Sequence, residues 1–468
     1  MDFSSTQGVA VQKLDWQLTT TEVFGRFAHL PWAILLDSAS ADHCDAQYDI
    51  ISFDPLATIT SQGGVTAIDH TRSSVQGSSK AHETHSGDPF LALQGAIAHY
   101  FPQQYDTDLP FSGGALGAFS YDLGRRIEKL PEIAEKDISL PEMNVGLYDW
   151  ALIFCYQKQE WSLVHYHGEQ ALAERLNTVN AFLNRQTEPS KAFKLSRDWQ
   201  AQITQAAYKD KFDRVQEYLH SGDCYQINLT QRFEAEYQGD EWQAYLKLRA
   251  SNKAPFSAFM RLEKHAILSI SPERFIKLKG DAIETKPIKG TMARASDAVA
   301  DKAAAEALAA SEKDRAENLM IVDLLRNDIG KVASPGSVRV PHLFAIESFP
   351  AVHHLVSTVT AKLAAPNSPC DLLRAAFPGG SITGAPKIRA MEIIEELEPS
   401  RRSLYCGSIG YISQDGQMDT SITIRTLVAE APRLYCWAGG GIVADSQVDA
   451  EYQESYDKVS RILPVLSR

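Results

Sequence analysis

Short strand-like segments recur along most of this chain, and only a few helical patterns separate them. Each segment is dense in apolar, aromatic and β-branched residues, as strands with a buried face are. They are Trp32–Leu36, Tyr148–Tyr156, Trp161–His165, His265–Ile270, Ile283–Thr285, Gly407–Ser413, Ser421–Val428 and Leu434–Ala438. Because strands must pair and cover their apolar faces, the pattern predicts an α+β protein built on stacked sheets.

Helical spacing of apolar residues marks a second set of segments. The predicted helices are Gln170–Leu183, Tyr208–His220, Ala303–Ile329 with at least one break, Ala385–Leu397 and Asp449–Leu463. The most polar interruption, Arg185–Lys191, follows the first of them. We therefore expect an N-terminal region, residues 1–190, and a C-terminal region, residues 191–468, that carries most of the chemistry.

Charge argues against nucleic acid as a ligand, and apolar content argues against a segment that spans a membrane. The 468 residues include 46 basic and 59 acidic ones, a net charge of −13, with no basic block. This balance argues against nucleic acid as the main ligand. No segment approaches the ~18–20 apolar residues of a membrane span, and Met1–Thr6 lacks the features of a signal peptide. The six cysteines form no Cys-x-x-Cys pair, so we expect reduced thiols in a cytoplasmic protein.

Lys289 is unusually placed for a solubilising charge, in the segment Pro287-Ile288-Lys289-Gly290-Thr291. Pro287 fixes its own φ, and Gly290 permits a tight bend or the close approach of a ligand. A lysine that loses its water at such a bend can act as an amine nucleophile near neutral pH. A solvated lysine on a surface hairpin is the alternative that the segment leaves open.

Glu273 lies across a predicted hairpin from this lysine. A turn centred near Gly280 places residue 273 opposite position 287 or 288, so Glu273 and Lys289 reach the same end of the hairpin. An acid beside a nucleophilic amine can protonate a departing hydroxyl while the amine attacks. The spacing alone fits a cross-strand ion pair equally well.

Two acidic pairs follow helical i,i+3 spacing, Asp314 with Glu317 and Glu451 with Glu454. Each pair lies on one helix face. Carboxylates from two helices, together with substrate oxygens and water, are ligands that Mg²⁺ accepts. Solvated helix faces carry the same spacing, so this pattern alone leaves both interpretations open.

Glycine-rich segments supply a further candidate site. The segment Pro378–Lys387 runs into a helix, whose free N–H groups suit an anion. Gly439–Gly441 follows a strand, and either a tight turn or close approach to a ligand accounts for it. Arg425 in the predicted strand Ser421–Val428 is a candidate carboxylate ligand, with a solvated strand arginine as the alternative.

Many separated motifs together resemble the chorismate-utilising enzymes, which include the anthranilate, aminodeoxychorismate, isochorismate and salicylate synthases. They are residues 221–228, 271–275, 313–324, 354–357, 380–387, 419–426 and 438–443. Lys289 stands where anthranilate-forming members have alanine, and Gln226 stands where members that add water have a lysine base. Both positions resemble the branch that adds ammonia to form aminodeoxychorismate.

The resemblance implies a fold, a metal and a mechanism. The fold is a sandwich of two large antiparallel β-sheets flanked by helices, with both halves of the chain interwoven. Mg²⁺ is held by Glu317 and Glu454, with Asp314 and Glu451 nearby. Lys289 attacks C2 of chorismate while Glu273 protonates the leaving 4-hydroxyl, and ammonia then displaces the lysine. The implied substrate contacts are Gln226, Gly290, Thr291, His354, Thr383, Ala385, Lys387, Tyr405, Arg425, Gly439, Gly441 and Lys458.

The resemblance also implies a partner that supplies ammonia. The chain lacks the Gly-x-Cys-x-Gly segment of a class I glutaminase. A separate glutamine amidotransferase subunit is therefore implied, consistent with the pathway to p-aminobenzoate and folate. The alternatives are an anthranilate synthase component I and a non-catalytic subunit that binds an amino acid or a partner.

A second binding pocket is implied by residues 35–38 and 252–258, which resemble the segments that line the tryptophan pocket of anthranilate synthase. Asp37 replaces the usual glutamate. Core packing is the alternative role for Phe256. The pocket residues expected from this resemblance are Ser38, Gln47, Tyr48, Pro255, Phe256 and Ser257.

Overall fold

The computed structural model describes residues 8–71, 82–185, 190–348 and 352–467. Met1–Thr6, used above to argue against a signal peptide, and residues 186–189 of the predicted boundary lie outside these ranges. The division at residue 190 stays a prediction.

Most of the described secondary structure is β-strand. In chain order, the strands are β1 (Ala10–Leu14), β2 (Ile34–Asp37), β3 (Tyr48–Ser52), β4 (Ala57–Gln62), β5 (Val65–His70), β6 (His82–His85), β7 (Gly114–Phe119), β8 (Met143–Tyr148), β9 (Trp150–Cys155), β10 (Glu160–His165), β11 (Lys194–Ala201), β12 (Gln226–Gln238), β13 (Phe256–Arg261), β14 (Ala266–Ser271), β15 (Arg274–Lys279), β16 (Ala282–Thr285), β17 (Ile288–Ala293), β18 (Arg339–Ser348), β19 (Val352–Lys362), β20 (Gly384–Ala385), β21 (Ser408–Ser413), β22 (Met418–Ile422), β23 (Thr426–Glu430) and β24 (Arg433–Ile442).

Helices connect and cover these strands. They are α1 (Thr20–Gly25), α2 (Pro89–Tyr100), α3 (Gly168–Asn184), α4 (Gln205–Ser221), α5 (Glu241–Asn252), α6 (Ala298–Ala310), α7 (Glu312–Gly330), α8 (Pro369–Ala376), α9 (Lys387–Leu397), α10 (Val448–Asp457) and α11 (Leu463–Leu466). Among the described residues, every helix is too short or too polar to cross a bilayer.

The strands pair into two twelve-stranded antiparallel sheets. The first has the order β1-β10-β9-β3-β2-β13-β14-β23-β24-β12-β11, with β20 beside β12. The second has the order β17-β19-β16-β15-β22-β21-β7-β8-β4-β5-β6, with β18 beside β19. Strands from both ends of the chain are neighbours, as where β2 pairs with β13 and β7 with β21. The expectation of two large antiparallel sheets flanked by helices is confirmed.

The main core lies between the sheets. Ile50 and Ile267 of the first sheet belong to the same buried cluster as Ile276 and Val359 of the second. Helices α3 and α5 contribute apolar side chains to a separate cluster with the first sheet. Two sheets that pack through alternating apolar residues form a rigid layer, and the candidate site lies at one end of it.

Helix α4 shows how local sequence sets an element's ends. Thr204 caps it, since its side chain accepts the N–H of Ala207 at 3.2 Å, and Gly222 ends it at φ +81°. Tyr208, Phe212 and Val215 recur at helical spacing and are buried against the sheet. The predicted helix Tyr208–His220 is confirmed, and so is the predicted break in Ala303–Ile329, which falls at Ser311.

Four predicted boundaries are wrong. The strand predicted as Tyr148–Tyr156 begins at Trp150, because Tyr148 is the last residue of β8 in the second sheet and β9 lies in the first. Ser421–Val428 is two strands, because β22 ends at Ile422 in the second sheet and β23 begins at Thr426 in the first. The helix predicted from Ala385 begins at Lys387, since Ala385 pairs with Gln226 of β12. The last helix ends at Asp457 rather than near Leu463.

Two chain crossings between the sheets run side by side. One passes from β14 to β15 and carries Glu273, and the other passes from β22 to β23 and carries Arg425. The Glu273 carbonyl accepts the Ile422 N–H at 3.1 Å, and the Ser271 hydroxyl donates to the Ile422 carbonyl at 2.6 Å. Hydrogen bonds therefore join the crossings directly.

Candidate active site

A cavity of about 550 Å³ opens at the end of the sandwich where these crossings lie. Strands of both sheets and the helices α7 and α10 line it. Most of the residues predicted for the site meet there. They are Glu273, Lys289, Gly290, Thr291, Asp314, Glu317, His354, Tyr405, Arg425, Gly439, Gly441, Glu451, Glu454 and Lys458.

Lys289 reaches the cavity from an irregular part of β17. The pairing with β19 shifts register between Lys289 and Thr291, and Gly290 has φ +72°. A Cβ atom at Gly290 would lie 2.9 Å from the carboxyl carbon of Asp314, so a side chain has no room there. The Lys289 ammonium donates to the Ser381 carbonyl at 3.0 Å. Its amine is thus oriented by a backbone carbonyl, and the side chain is half-buried.

Glu273 is the buried acid of the site, with 7% of its surface exposed. Burial raises its pKa to about 7, against the opposing effects of the Lys289 charge, the Ser381 hydroxyl and the Ile288 N–H. The hairpin pairs Lys279 with Ala282 and continues to Lys277 opposite Glu284; beyond it, the Ile288 N–H donates to the Glu273 carboxylate. A carboxyl with this pKa is protonated in a large fraction of molecules near neutral pH and can donate a proton.

The two acidic pairs face the cavity from separate helices. Burial raises the pKa of Glu317 and of Glu451. Burial would also raise the pKa of Glu454, but Lys458 lowers it, since the two side chains form an ion pair at 2.7 Å. The Lys313 ammonium lies 3.7 Å from a carboxylate oxygen of Glu451. This end of the cavity therefore concentrates negative charge that two lysines balance in part.

The donor set fits a divalent cation chemically, since all four groups are carboxylates and Mg²⁺ prefers oxygen ligands. Glu451 and Glu454 are close together, because an oxygen of each lies 3.1 Å from the position of a Cβ at Gly440. The four are not gathered tightly: among the described residues, the only three metal-ligating atoms within 4.8 Å of one another are those of His43, Cys44 and Asp45. Substrate oxygens and water would complete the coordination of an ion held by Glu317 and Glu454.

Arg425 and His354 add a positive and a neutral group. Arg425 has φ +50° at its crossing, and burial lowers the pKa of its guanidinium. Burial and the nearby Arg425 lower the pKa of His354 to about 4, so its imidazole is neutral at neutral pH. The Thr291 hydroxyl and Nδ1 of His354 are 2.8 Å apart. A half-buried guanidinium beside neutral hydrogen-bonding groups suits an anionic ligand.

The glycine run lies within β24 and is not a turn. A Cβ atom at Gly439 would lie 2.2 Å from the Leu229 carbonyl oxygen, and one at Gly441 would lie 1.8 Å from Nε2 of Gln226. Backbone therefore excludes a side chain at Gly439, whereas a side chain at Gly441 would displace the side chain of Gln226. Gln226 therefore lies directly behind Gly441, outside the cavity lining.

Three other predicted substrate contacts, Thr383, Ala385 and Lys387, also lie outside the cavity lining. The Lys387 ammonium is 2.5 Å from a carboxylate oxygen of Asp328 and donates to the Ala376 and Pro378 carbonyls, each at 3.0 Å. The Thr383 hydroxyl donates to Gly379 at 3.2 Å. These residues, with Ala385 in β20, hold the glycine-rich segment in place, and direct substrate contact by them stays a prediction.

The chain matches one family model over most of its length. The model described as "chorismate binding enzyme" covers residues 33–464. The chain belongs to the chorismate-binding enzyme family.

Within that family, the chain is similar to "Aminodeoxychorismate synthase component 1" of Escherichia coli strain K12. They are 56% identical over 467 residues, which cover 99% of this chain and 100% of the relative. The protein of the same name from Salmonella typhimurium strain LT2 is 55% identical over 461 residues, 98% of each chain. The crystal structure of anthranilate synthase component I from Streptococcus pneumoniae TIGR4 is 32% identical, with a TM-score of 0.79 over 90% of this chain and 93% of that one.

The cavity of this chorismate-binding enzyme has five polar or aromatic lining residues that were not predicted as site residues. They are Asn228, Lys313, Ser381, Trp437 and Asp457, of which the first three lie within the motifs of the family. Trp437 stacks on Tyr405, with ring centres 6.0 Å apart and planes 7° apart. Strand alternation could have found Trp437, which lies two residues before Gly439 on the same face. The contacts of Ser381 depend on a crossing that no local pattern indicates.

A second cavity, of about 160 Å³, lies between the sheets further along the sandwich. Every residue predicted for the tryptophan pocket lines it: Ser38, Gln47, Tyr48, Pro255, Phe256 and Ser257. The guanidinium of Arg274 lies over the ring of Phe256 at 5.0 Å. The structure thus brings these six residues together.

Proposed function

We propose that this protein is an aminodeoxychorismate synthase component 1. It converts chorismate and ammonia to 4-amino-4-deoxychorismate and water, in the cytoplasmic route to p-aminobenzoate and folate. The observation that carries the proposal is the meeting of Lys289 with a buried acid, Glu273, in one cavity.

The covalent step uses both side chains. Lys289 passes a proton to Glu273, and its amine attacks C2 of chorismate. The ring double bonds shift, and the 4-hydroxyl leaves as water with the proton of Glu273. Ammonia then bonds to C4, the double bonds shift back, the C2–N bond to Lys289 breaks, and the departing amine takes the surplus proton of the added ammonia. One C–O bond is exchanged for one C–N bond, so no oxidant or reductant is needed.

The remaining lining groups bind and orient the substrate. Arg425 is the cation for one carboxylate, while Thr291 and His354 supply neutral hydrogen-bonding groups. Glu317 and Glu454, with Asp314 and Glu451 nearby, would hold Mg²⁺, which would supply positive charge for a substrate carboxylate. Lys458 and Lys313 balance these carboxylates without the ion.

Ammonia comes from a partner in this proposal. The relatives named component 1 imply a second component. The absence of a Gly-x-Cys-x-Gly segment from the chain favours a separate glutamine amidotransferase. Free tryptophan is the proposed ligand of the second cavity.

Product identification tests the function. Purified protein is incubated with chorismate, Mg²⁺ and an ammonium salt, and the product is analysed by liquid chromatography and mass spectrometry. We expect 4-amino-4-deoxychorismate, whereas anthranilate would support an anthranilate synthase, the class of the solved neighbour. A chain that leaves chorismate unchanged under these conditions would support the non-catalytic alternative.

A further inference from the structure

Ser381 contacts both members of the proposed catalytic pair. Its backbone carbonyl accepts the Lys289 ammonium at 3.0 Å, and its hydroxyl donates to a carboxylate oxygen of Glu273 at 3.3 Å. It lines the cavity and is 8% exposed. One residue therefore connects a group on β17 with a group on a crossing between the sheets.

The backbone around Ser381 has little freedom. A Cβ atom at Gly380 would lie 2.3 Å from a methyl carbon of Leu324, so the segment packs directly on α7. The Asn228 side chain donates to the Ile382 carbonyl at 2.9 Å on the other side. The direction of the Ser381 carbonyl is consequently set by packing before any substrate binds.

The hydroxyl of Ser381 suits both protonation states of Glu273. A hydroxyl is one donor and also an acceptor. It donates to the carboxylate when Glu273 is ionised and can accept from the acid when Glu273 is protonated. When a proton passes from the Lys289 ammonium to Glu273, an amine and a carboxylic acid result with no change in net charge. The contact with Ser381 survives by reversing its direction.

We propose that Ser381 is a positioning residue that holds Lys289 and Glu273 in the geometry of the covalent step and stays bonded to Glu273 throughout the proton transfer. The inference rests on the proposed function, because it assigns Ser381 a part in the same reaction. Other charged or titratable groups interact with the pair, and a substitution at residue 381 leaves all of these side chains in the protein. They are Lys458, Arg425 and Cys406 around Glu273, and Glu317 and Glu454 around Lys289.

Three variants test this role: Ser381→Ala, Ser381→Thr and Ser52→Ala. Ser52 is the matched control, because it is a buried serine whose hydroxyl donates to the Trp150 carbonyl at 2.9 Å away from the cavity. With chorismate, Mg²⁺ and ammonium, we expect Ser381→Ala to lower kcat by about 10- to 100-fold, as for loss of a hydrogen bond and of orientation. Its KM should stay within about threefold, and Ser381→Thr should recover most of the kcat, since it retains the hydroxyl.

Equal kcat values for Ser381→Ala and Ser52→Ala would overturn the inference, as would a loss confined to KM. A threonine variant that folds but is no better than alanine would also overturn it. If the alanine variant does not fold, Ser381→Cys replaces it, since its thiol is a weak donor of similar size. Wild-type product identity tests the proposed function separately. If the product is anthranilate, the function is wrong, while the ratio of kcat between the alanine and threonine variants still decides whether Ser381 positions the pair.

Discussion

The two cavities lie in the same sandwich but differ in how their charges are satisfied. In the second cavity, Arg274 is 2.7 Å from a carboxylate oxygen of Asp45 and 2.9 Å from one of Asp419, so its charge is matched by two carboxylates. In the larger cavity, the pKa values of Glu273 and Arg425 are both displaced by burial towards their neutral forms. The same fold therefore provides one cavity whose arginine is paired with carboxylates and another whose groups have pKa values shifted by burial, as catalytic groups often have.

The backbone differs in the same way. The second cavity is lined largely by residues of regular strands. The larger cavity takes Lys289 from a register shift and Glu273 and Arg425 from crossings between the sheets. Irregular backbone is what directs these side chains into one space.

Loss of the nucleophile should have the largest effect. We expect Lys289→Ala to lower kcat about 10³-fold or more, because the covalent route is removed. Lys277→Ala is the matched control, since Lys277 lines the second cavity. Steady-state kinetics check both, and mass spectrometry of the wild type with chorismate and Mg²⁺ but no ammonia should find a chorismate-derived mass on the Lys289 peptide. Comparable losses of kcat in the two variants would contradict the assignment of the reaction to the larger cavity.

Loss of the acid should follow. We expect Glu273→Gln to lower kcat by about 10²- to 10⁴-fold, as for removal of a general acid. In the wild type, kcat should fall as the pH rises through about 7, because Glu273 is then ionised at rest and must first take a proton from Lys289. A profile of kcat from pH 5 to pH 9 measures this limb. If the limb is unchanged in the residual activity of Glu273→Gln, another group is responsible.

The same carboxyl makes a prediction about stability. Its pKa is raised in the folded protein to about 7 from 4.5. Below the ordinary pKa of 4.5 the carboxyl is protonated in both the folded and the unfolded chain, and its contribution to the free energy of unfolding is fully present. As the pH rises towards 7 the unfolded chain ionises first, so the free energy of unfolding should fall. Urea unfolding at pH 5 and pH 8 should show a smaller decrease for Glu273→Gln than for the wild type; equal decreases would contradict the raised pKa.

Loss of a proposed metal ligand should have an intermediate effect. We expect Glu454→Ala to weaken Mg²⁺ binding by about 10- to 100-fold or more. Isothermal titration calorimetry with Mg²⁺ alone measures this without turnover. Glu306→Ala, on α6 and exposed, is the control. Unchanged Mg²⁺ affinity in Glu454→Ala would remove that residue from the ligand set.

The smallest effect on activity should come from the second cavity. Phe256→Ala is expected to weaken tryptophan binding by about tenfold, since an aromatic contact is lost. Its kcat for chorismate should stay within about twofold. Calorimetry with tryptophan and steady-state kinetics check the two halves of this prediction. A large loss of kcat with unchanged tryptophan affinity would contradict the assignment of tryptophan binding to the second cavity.

Local patterns predicted the elements better than their connections. The repeat of Tyr208, Phe212 and Val215 was sufficient for a helix, and turn residues around Gly280 were sufficient for the hairpin that brings Glu273 towards Lys289. Ser421–Val428 was predicted as one strand because apolar density does not record a transfer between sheets at Arg425. The role of Ser381 was missed for the same reason, since its partners are about a hundred residues away in sequence.

Because of the paired crossings, the spacing between the sheets sets the distances between the groups of the proposed reaction. The proposed acid and Arg425 belong to segments that leave one sheet for the other, while the nucleophile is fixed within the second sheet. A change of even a few tenths of an ångström in that spacing would shift the acid and the arginine together relative to the amine. Core substitutions far from the cavity, between the sheets, are therefore expected to alter turnover through distance alone, without touching a group that reacts.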